Sequence, residues 1–158
     1  MPYLVDGSNL IGSFAGLRRD RPGDRGKLVR ALLAAPAARH KGVTVVFDGP
    51  PDSGGSRLSL GRGTEVRYSG ERADADSVIR RLLDRAESNY YVLVTDDREL
   101  REHARIRGAA SLSCGEFLRR LAPPAAGKEG REVKRPDTPL SSVEVEEWLG
   151  WFGRKDGD

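Results

Sequence analysis

Three short apolar runs, at residues 2–5, 43–47 and 90–95, are rich in Val, Leu, Tyr and Phe and are flanked by turn residues. Continuous runs of this length predict strands buried on both faces of a parallel sheet. Glu65–Tyr68 and Ala110–Ser113 are weaker strand candidates. Between the runs the period changes to that of a helix. Ala75, Val78, Ile79, Leu82, Leu83 and Ala86 recur at i, i+3, i+4, i+7, i+8 and i+11 and form one apolar stripe. Further helices are predicted over 24–40, with Leu28, Leu32 and Ala35 inward and Pro36 kinking or shortening it, and over 98–107 and 115–121. Strand-helix alternation of this kind predicts a three-layer α/β/α sandwich around a central, mainly parallel sheet.

Two segments depart from this rhythm. Residues 49–63 are rich in Gly, Pro and Ser and predict a mobile loop; they lack the Gly-Lys-Ser/Thr ending of a phosphate-binding P-loop, which weakens a nucleotide-hydrolase reading. Residues 122–139 have the composition of a linker. They divide the chain into a domain over 1–121 and a C-terminal helix and tail over 140–158. That helix starts at Ser141 with a Ser-x-x-Glu capping box to Glu144. Val145, Trp148, Leu149 and Phe152 fall on one face, which is expected to pack on the core; the alternative is an aromatic face that binds a partner.

The ends of the strand runs carry the chemistry. Asp6 closes Tyr3-Leu4-Val5, Asp48 closes Val45-Val46-Phe47, and Asp96 and Asp97 follow Val92-Leu93-Val94-Thr95. A parallel sheet delivers such residues to one carboxyl edge, where ligands bind. A fourth acid comes from the helix after residue 74. At about 100° per residue the apolar stripe is centred about 80° from Asp76 and about 120° from Asp74, so Asp76 flanks the buried face and Asp74 reads as an N-cap. The sequence by itself does not separate Asp96 from Asp97. A single Asp at a strand-helix junction usually caps the helix. Four on separate elements repel one another unless a cation neutralises them, and their hard oxygens suit Mg²⁺ or Mn²⁺. Asn9, three residues after Asp6, is a turn or N-cap residue that can also hold a carboxylate or a phosphate. Thr95 is placed to support the acids. Ser8, His40, His103 and Cys114 are expected to be non-catalytic.

Composition narrows the class. A chain of 158 residues, 37% hydrophobic and 32% charged, has room for one core domain. One cysteine excludes an intrachain disulfide, and two histidines are too few for a conventional zinc site. Met1-Pro2 leads directly into the first strand with no leader-like segment, and no run approaches transmembrane length. A cytoplasmic protein without a membrane partner is therefore expected. The net charge is +3, yet residues 18–41 hold eight Lys/Arg against two Asp. Arg supplies 22 of the 27 basic residues, and its planar fork matches phosphate oxygens. Arg18, Arg19, Arg21, Arg57, Arg62 and Arg98 are candidate phosphate contacts around the acidic edge, with Arg67 and Arg72 nearby in the chain.

Taken together in order, Asp6-Gly7-Ser8-Asn9-Leu10-Ile11-Gly12, Val46-Phe47-Asp48, Ala75-Asp76-x-x-Ile79 and Val94-Thr95-Asp96-Asp97 resemble the NYN domain. The likeness is to its YacP-like branch, bacterial members of the PIN-like nuclease superfamily. Gly108 to Leu118 and the closing helix through Trp148 resemble that branch too. The resemblance implies a Rossmann-like PIN fold and Mg²⁺- or Mn²⁺-dependent endoribonuclease activity that leaves 5′-phosphate and 3′-hydroxyl ends. It matches Asp6, Asp76 and Asp97 to metal-binding positions, Asp48 to a fourth acidic position, and Asn9 to the Asn of the first motif. Asp96 departs from the branch, which more often has a small hydroxyl residue there. RNA is the expected partner, with the ribosome as a candidate presenter. Two alternatives stand: a non-catalytic RNA- or ribosome-binding module, and a DNA flap nuclease, for which 158 residues leave little space.

Overall fold

The computed structural model describes residues 1–14, 16–21, 23–51, 55–61, 63–121 and 141–152. Arg62, the linker 122–139 and the tail 153–158 lie outside these residues, as do the side chains of Val145, Leu149 and Phe152. The described elements run β1 (Tyr3–Asp6), α1 (Gly7–Ile11), α2 (Asp24–Ala34), α3 (Pro36–Lys41), β2 (Val43–Phe47), β3 (Arg57–Ser59) and β4 (Thr64–Tyr68). They continue with α4 (Ala75–Arg85), β5 (Val92–Val94), α5 (Arg98–Ile106), β6 (Ala110–Leu112), α6 (Cys114–Leu121) and α7 (Ser142–Phe152).

The strands form one sheet in the order β3-β4-β2-β1-β5-β6, parallel except for β3 at the edge. The first strand is central, with Tyr3 in register with both Val43 and Val92. Side chains alternate across the pleat, so the apolar runs feed two cores. Tyr3, Val5, Val45 and Phe47 pack under α1, α2, α3, α6 and α7; Leu4, Val46 and Leu93 pack under α4 and α5 with Ile79, Leu83 and Leu100. This is the expected sandwich with helices on both faces of a mostly parallel sheet. No helix among the described residues is long and apolar enough to cross a membrane.

Three local outcomes differ from or refine the sequence reading. Ala35 is extended (φ −78°, ψ 116°) ahead of Pro36, which splits the expected 24–40 helix into α2 and α3; a residue before proline avoids the helical region. The 49–63 segment is not loop throughout, because Arg57–Ser59 pairs antiparallel with β4. All three β3 residues are exposed, so its pairing left no burial pattern to read. Helix α1 was not expected, and it starts immediately after β1. A Cβ on Gly7 would stand 2.6 Å from the Phe47 ring and 2.8 Å from Val45 Cγ1, so glycine is what lets the chain turn into a helix against β2.

The C-terminal helix docks as anticipated. Trp148 is 2% exposed, its Nε1 donates to the Leu118 carbonyl at 3.0 Å, and its ring meets Phe14 edge-on at 5.3 Å. The capping box is reciprocal: Glu144 N donates to Ser141 Oγ and Ser141 N to Glu144 Oε1. Glu144 also pairs with Arg119 at 3.1 Å and so ties α7 to α6.

Candidate functional site

A cavity of about 200 Å³ opens at the carboxyl edge, lined by Asp6, Ser8, Asn9, Arg19, Asp48, Asp74, Ala75, Asp76, Asp97 and Leu100. Asp6, Asp48 and Asp97 arrive from three strand ends, and Asp74 and Asp76 both from the start of α4. Asp6 ends β1 and caps α1, where Asn9 N donates to its Oδ1 at 3.2 Å. Thr95 Oγ1 donates to Asp6 Oδ2 at 3.1 Å and accepts from Asp97 N at 3.1 Å, so one hydroxyl joins the ends of β1 and β5. Thr95 is fully buried, and the support expected of it is realised.

Asp48 follows β2. Its Oδ1 accepts from Ala75 N at 2.6 Å, and its own N–H donates to Ser8 Oγ at 3.0 Å. These two bonds fasten the start of α4 and the start of α1 to the same strand end. Asp74 is the N-cap of α4, accepting from Ser77 N at 2.8 Å, and hydrogen bonding from the Ser77 hydroxyl, then from its N–H, holds the carboxyl below the usual range. Asp76, two residues further on in the first turn, accepts from Arg80 Nε at 2.6 Å. Asp97 caps α5, with Oδ1 accepting from Glu99 N at 2.9 Å and Leu100 N at 3.2 Å.

Asp96 turns away from this group. Its N–H donates to Asn9 Oδ1 at 2.8 Å, while its Oδ1 accepts from Cys114 N at 3.0 Å at the start of α6. Its charge therefore serves the neighbouring helix and lies outside the cavity lining. Of the pair at 96–97, Asp97 lines the cavity and Asp96 does not.

Asp6 is 8% exposed, and burial pushes its carboxyl up from 3.8 to about 6. The bonds from Asn9 and Thr95 oppose this rise, and the charges of Asp48 and Asp97 add to it. Burial, more than like charge, thus disfavours the ionised form of Asp6. Asp48, Asp76 and Asp97 each keep one carboxylate oxygen that bonds to no described residue. Among the described residues no group of three or more His, Cys, Asp or Glu is spaced as a ready-made metal cage. A donor set of this sort, all oxygen and open to water, fits a hydrated hard cation such as Mg²⁺, which keeps several waters and takes only a few carboxylates.

The arginines divide. Arg19 lines the cavity, and Arg98 is exposed on the first turn of α5 beside Asp97. Arg18 pairs with Asp20, Arg21 with buried Asp24, and Arg57 with Glu65, none of them at the cavity wall. The sequence reading missed Arg80, and it placed Arg25 only within an Arg-rich segment expected to bind a phosphate backbone. Arg80 holds Asp76, and its i,i+4 spacing was the available signal. Arg25 donates to the carbonyls of Asp48 and Pro50 and lies over the Phe47 and Tyr68 rings, a link across 23 residues with no local signal.

The model of the YacP-like NYN domain family matches residues 3–149. A crystal structure of a mutant of Rae1 (YacP) from Bacillus subtilis is similar at 25% identity and a TM-score of 0.57, covering 77% of this chain and 75% of that one. A second crystal structure of Rae1 (YacP) from Bacillus subtilis shares the fold at 24% identity and a TM-score of 0.59, covering 77% and 73%. No curated protein sequence matches this chain.

Proposed function

Because the chain belongs to the YacP-like NYN domain family, and so carries a nuclease-like domain, we propose that it is an endoribonuclease dependent on Mg²⁺ or Mn²⁺. The observation that carries this reading is the convergence of Asp6, Asp48, Asp76 and Asp97 from four junctions onto one cavity, with Asp6 raised to about 6 by burial and like charge. A cluster of like charges is costly in a folded chain unless a cation meets it.

In this proposal the four aspartates hold the cation. When bound it supplies positive charge for the phosphate and leaving oxygen and acidifies an attacking water. The chain's own residues do the positioning. Thr95 and the Asn9 N–H fix both oxygens of Asp6, the α4 N-terminus fixes Asp48, and Arg80 restrains Asp76. Arg19, which lines the cavity and has no ion-pair partner among the described residues, would bind the RNA backbone, with exposed Arg98 next to Asp97 in the chain. Such contacts give salt-sensitive affinity with little sequence reading.

The test is cleavage of labelled single-stranded and structured RNA with Mg²⁺ or Mn²⁺, against EDTA and an Asp97→Asn protein, with DNA as competitor. Cuts that require the metal and vanish in both controls are expected. Salt-sensitive RNA binding without any cleavage would replace the nuclease with an RNA- or ribosome-binding module. Preference for flapped DNA would move the substrate class.

A further inference from the structure

The orientation of one side-chain amide at the acidic cavity is fixed by its neighbours. Asn9 Oδ1 lies 2.8 Å from the Asp96 backbone N and 3.1 Å from Cys114 Sγ. A backbone N–H can only donate, so the atom facing it must be the amide oxygen, whichever way the amide would otherwise be drawn. Cys114 is fully buried, and burial, with the charges of Asp96 and Asp6, raises its thiol pKa; the sulfur therefore keeps its proton and donates as well. Both acceptor sites of Oδ1 are filled from behind. The Nδ2 group bonds to no described residue, and Asn9 lines the cavity alongside the four aspartates.

We propose that Asn9 presents its amide N–H to a phosphate oxygen of the bound RNA, and that the Asp96 N–H and the Cys114 thiol are the positioning groups that set this sense. This rests on the ribonuclease reading above. An oxygen already taken by two donors is closed to a cation, which leaves Asn9 a substrate contact and not a metal ligand. A neutral donor in an acidic cavity suits this task, since it attracts the phosphate without competing with the cation for the carboxylates. The cysteine, with no disulfide partner, thereby gains a function that its burial alone does not suggest.

The chain offers a clean spectroscopic test, because Asn9 and Asn89 are its only side-chain amides and it has no Gln. A ¹H–¹⁵N spectrum should show two side-chain NH₂ pairs, and Asn9→Asp should delete one and so assign it. That substitution keeps an acceptor for Asp96 and Cys114 and replaces the donor with a charged oxygen. Titration with a short single-stranded RNA in Ca²⁺ should shift the Asn9 pair and leave Asn89 in place. Asn9→Asp should raise KM for RNA at least about tenfold, from the lost hydrogen bond to a charged group and the added charge facing the phosphate. Cys114→Ala should broaden the Asn9 pair and lower kcat/KM, and Cys114→Ser, which retains a donor, should restore both. An Asn9 pair that stays still at RNA saturation, or an unchanged KM in Asn9→Asp, overturns the assignment. If the pair moves but the parent protein never cleaves, the nuclease reading falls and the donor assignment stands. If the parent cleaves and the pair does not move, the reverse holds; if RNA does not bind at all, both fall.

Discussion

Asp97 caps α5 through one oxygen and, on the proposed function, would meet the cation through the other, and a pair of substitutions separates the two. Its Oδ1 caps α5 through Glu99 N and Leu100 N, while the other oxygen bonds to no described residue in the cavity that Asp97 lines. Asn caps a helix as well as Asp does, whereas Ala forfeits about 1 kcal/mol and up to about 2. Losing the charge next to the helix N-terminus costs Asn roughly 0.3–1 kcal/mol. Relief of the repulsion that Asp97 exerts on buried Asp6 offsets this in the metal-free protein. At this chain length 1 kcal/mol corresponds to about 3 °C in Tm. In EDTA, Asp97→Asn should therefore melt within about 2 °C of the parent and Asp97→Ala about 3–6 °C lower. On the proposed function RNA cleavage should fall at least about 100-fold in both, since each would remove one of the charges that meet the cation. The Tm rise that Mn²⁺ gives the parent should shrink in both. Differential scanning in EDTA and in Mn²⁺, beside a cleavage assay, reads all four quantities. Equal stability of the Asn and Ala proteins would refute the capping argument, and full cleavage by Asp97→Asn would refute the charge argument.

Three further outcomes follow from other parts of the molecule. Asp6 has a folded pKa of about 6 against 3.8 unfolded, so folding favours its neutral form. In EDTA that stabilisation is complete below about pH 4 and is lost as pH rises through about 6, at most roughly 3 kcal/mol. Urea unfolding from pH 4 to 8 should show the fall in the parent and not in Asp6→Asn, and parallel profiles would contradict it. Gly7→Ala forces a methyl to 2.6 Å from the Phe47 ring and should cost about 1–3 kcal/mol, read as a lower urea midpoint; an unchanged midpoint would mean that α1 can shift freely. Trp148→Ala empties the space between Phe14 and α6 and should cost about 3–5 kcal/mol. If unfolding of that protein by circular dichroism matches the parent, α7 is not part of the cooperative core.

Much of the architecture is written locally. The apolar runs announce β1, β2 and β5 because a strand buried on both faces needs every position apolar, and the 75–86 stripe announces α4 because one helix face is buried. The same helical arithmetic distinguished Asp74 from Asp76, and the Ser77 N–H on Asp74 bears out its reading as a cap. Pro36 and the Ser141–Glu144 capping box acted as their local chemistry requires. Edge strand β3 was illegible because its exposed residues carry no burial period.

The sequence by itself determined which segments are strands and helices, which faces they bury, and that acids stand at the junctions after β1, β2 and β5 and at the start of α4. Only the tertiary structure decided which of those acids share a cavity and what holds them there. Thr95 reaches Asp6 across 89 residues, and Cys114 reaches Asn9 across 105. It also turned Asp97 into the cavity and Asp96 toward α6, a difference of one residue that no periodicity encodes. Periodicity records how each element meets its own layer. The chemistry arises where elements distant in the chain meet one another, and that depends on strand order and register.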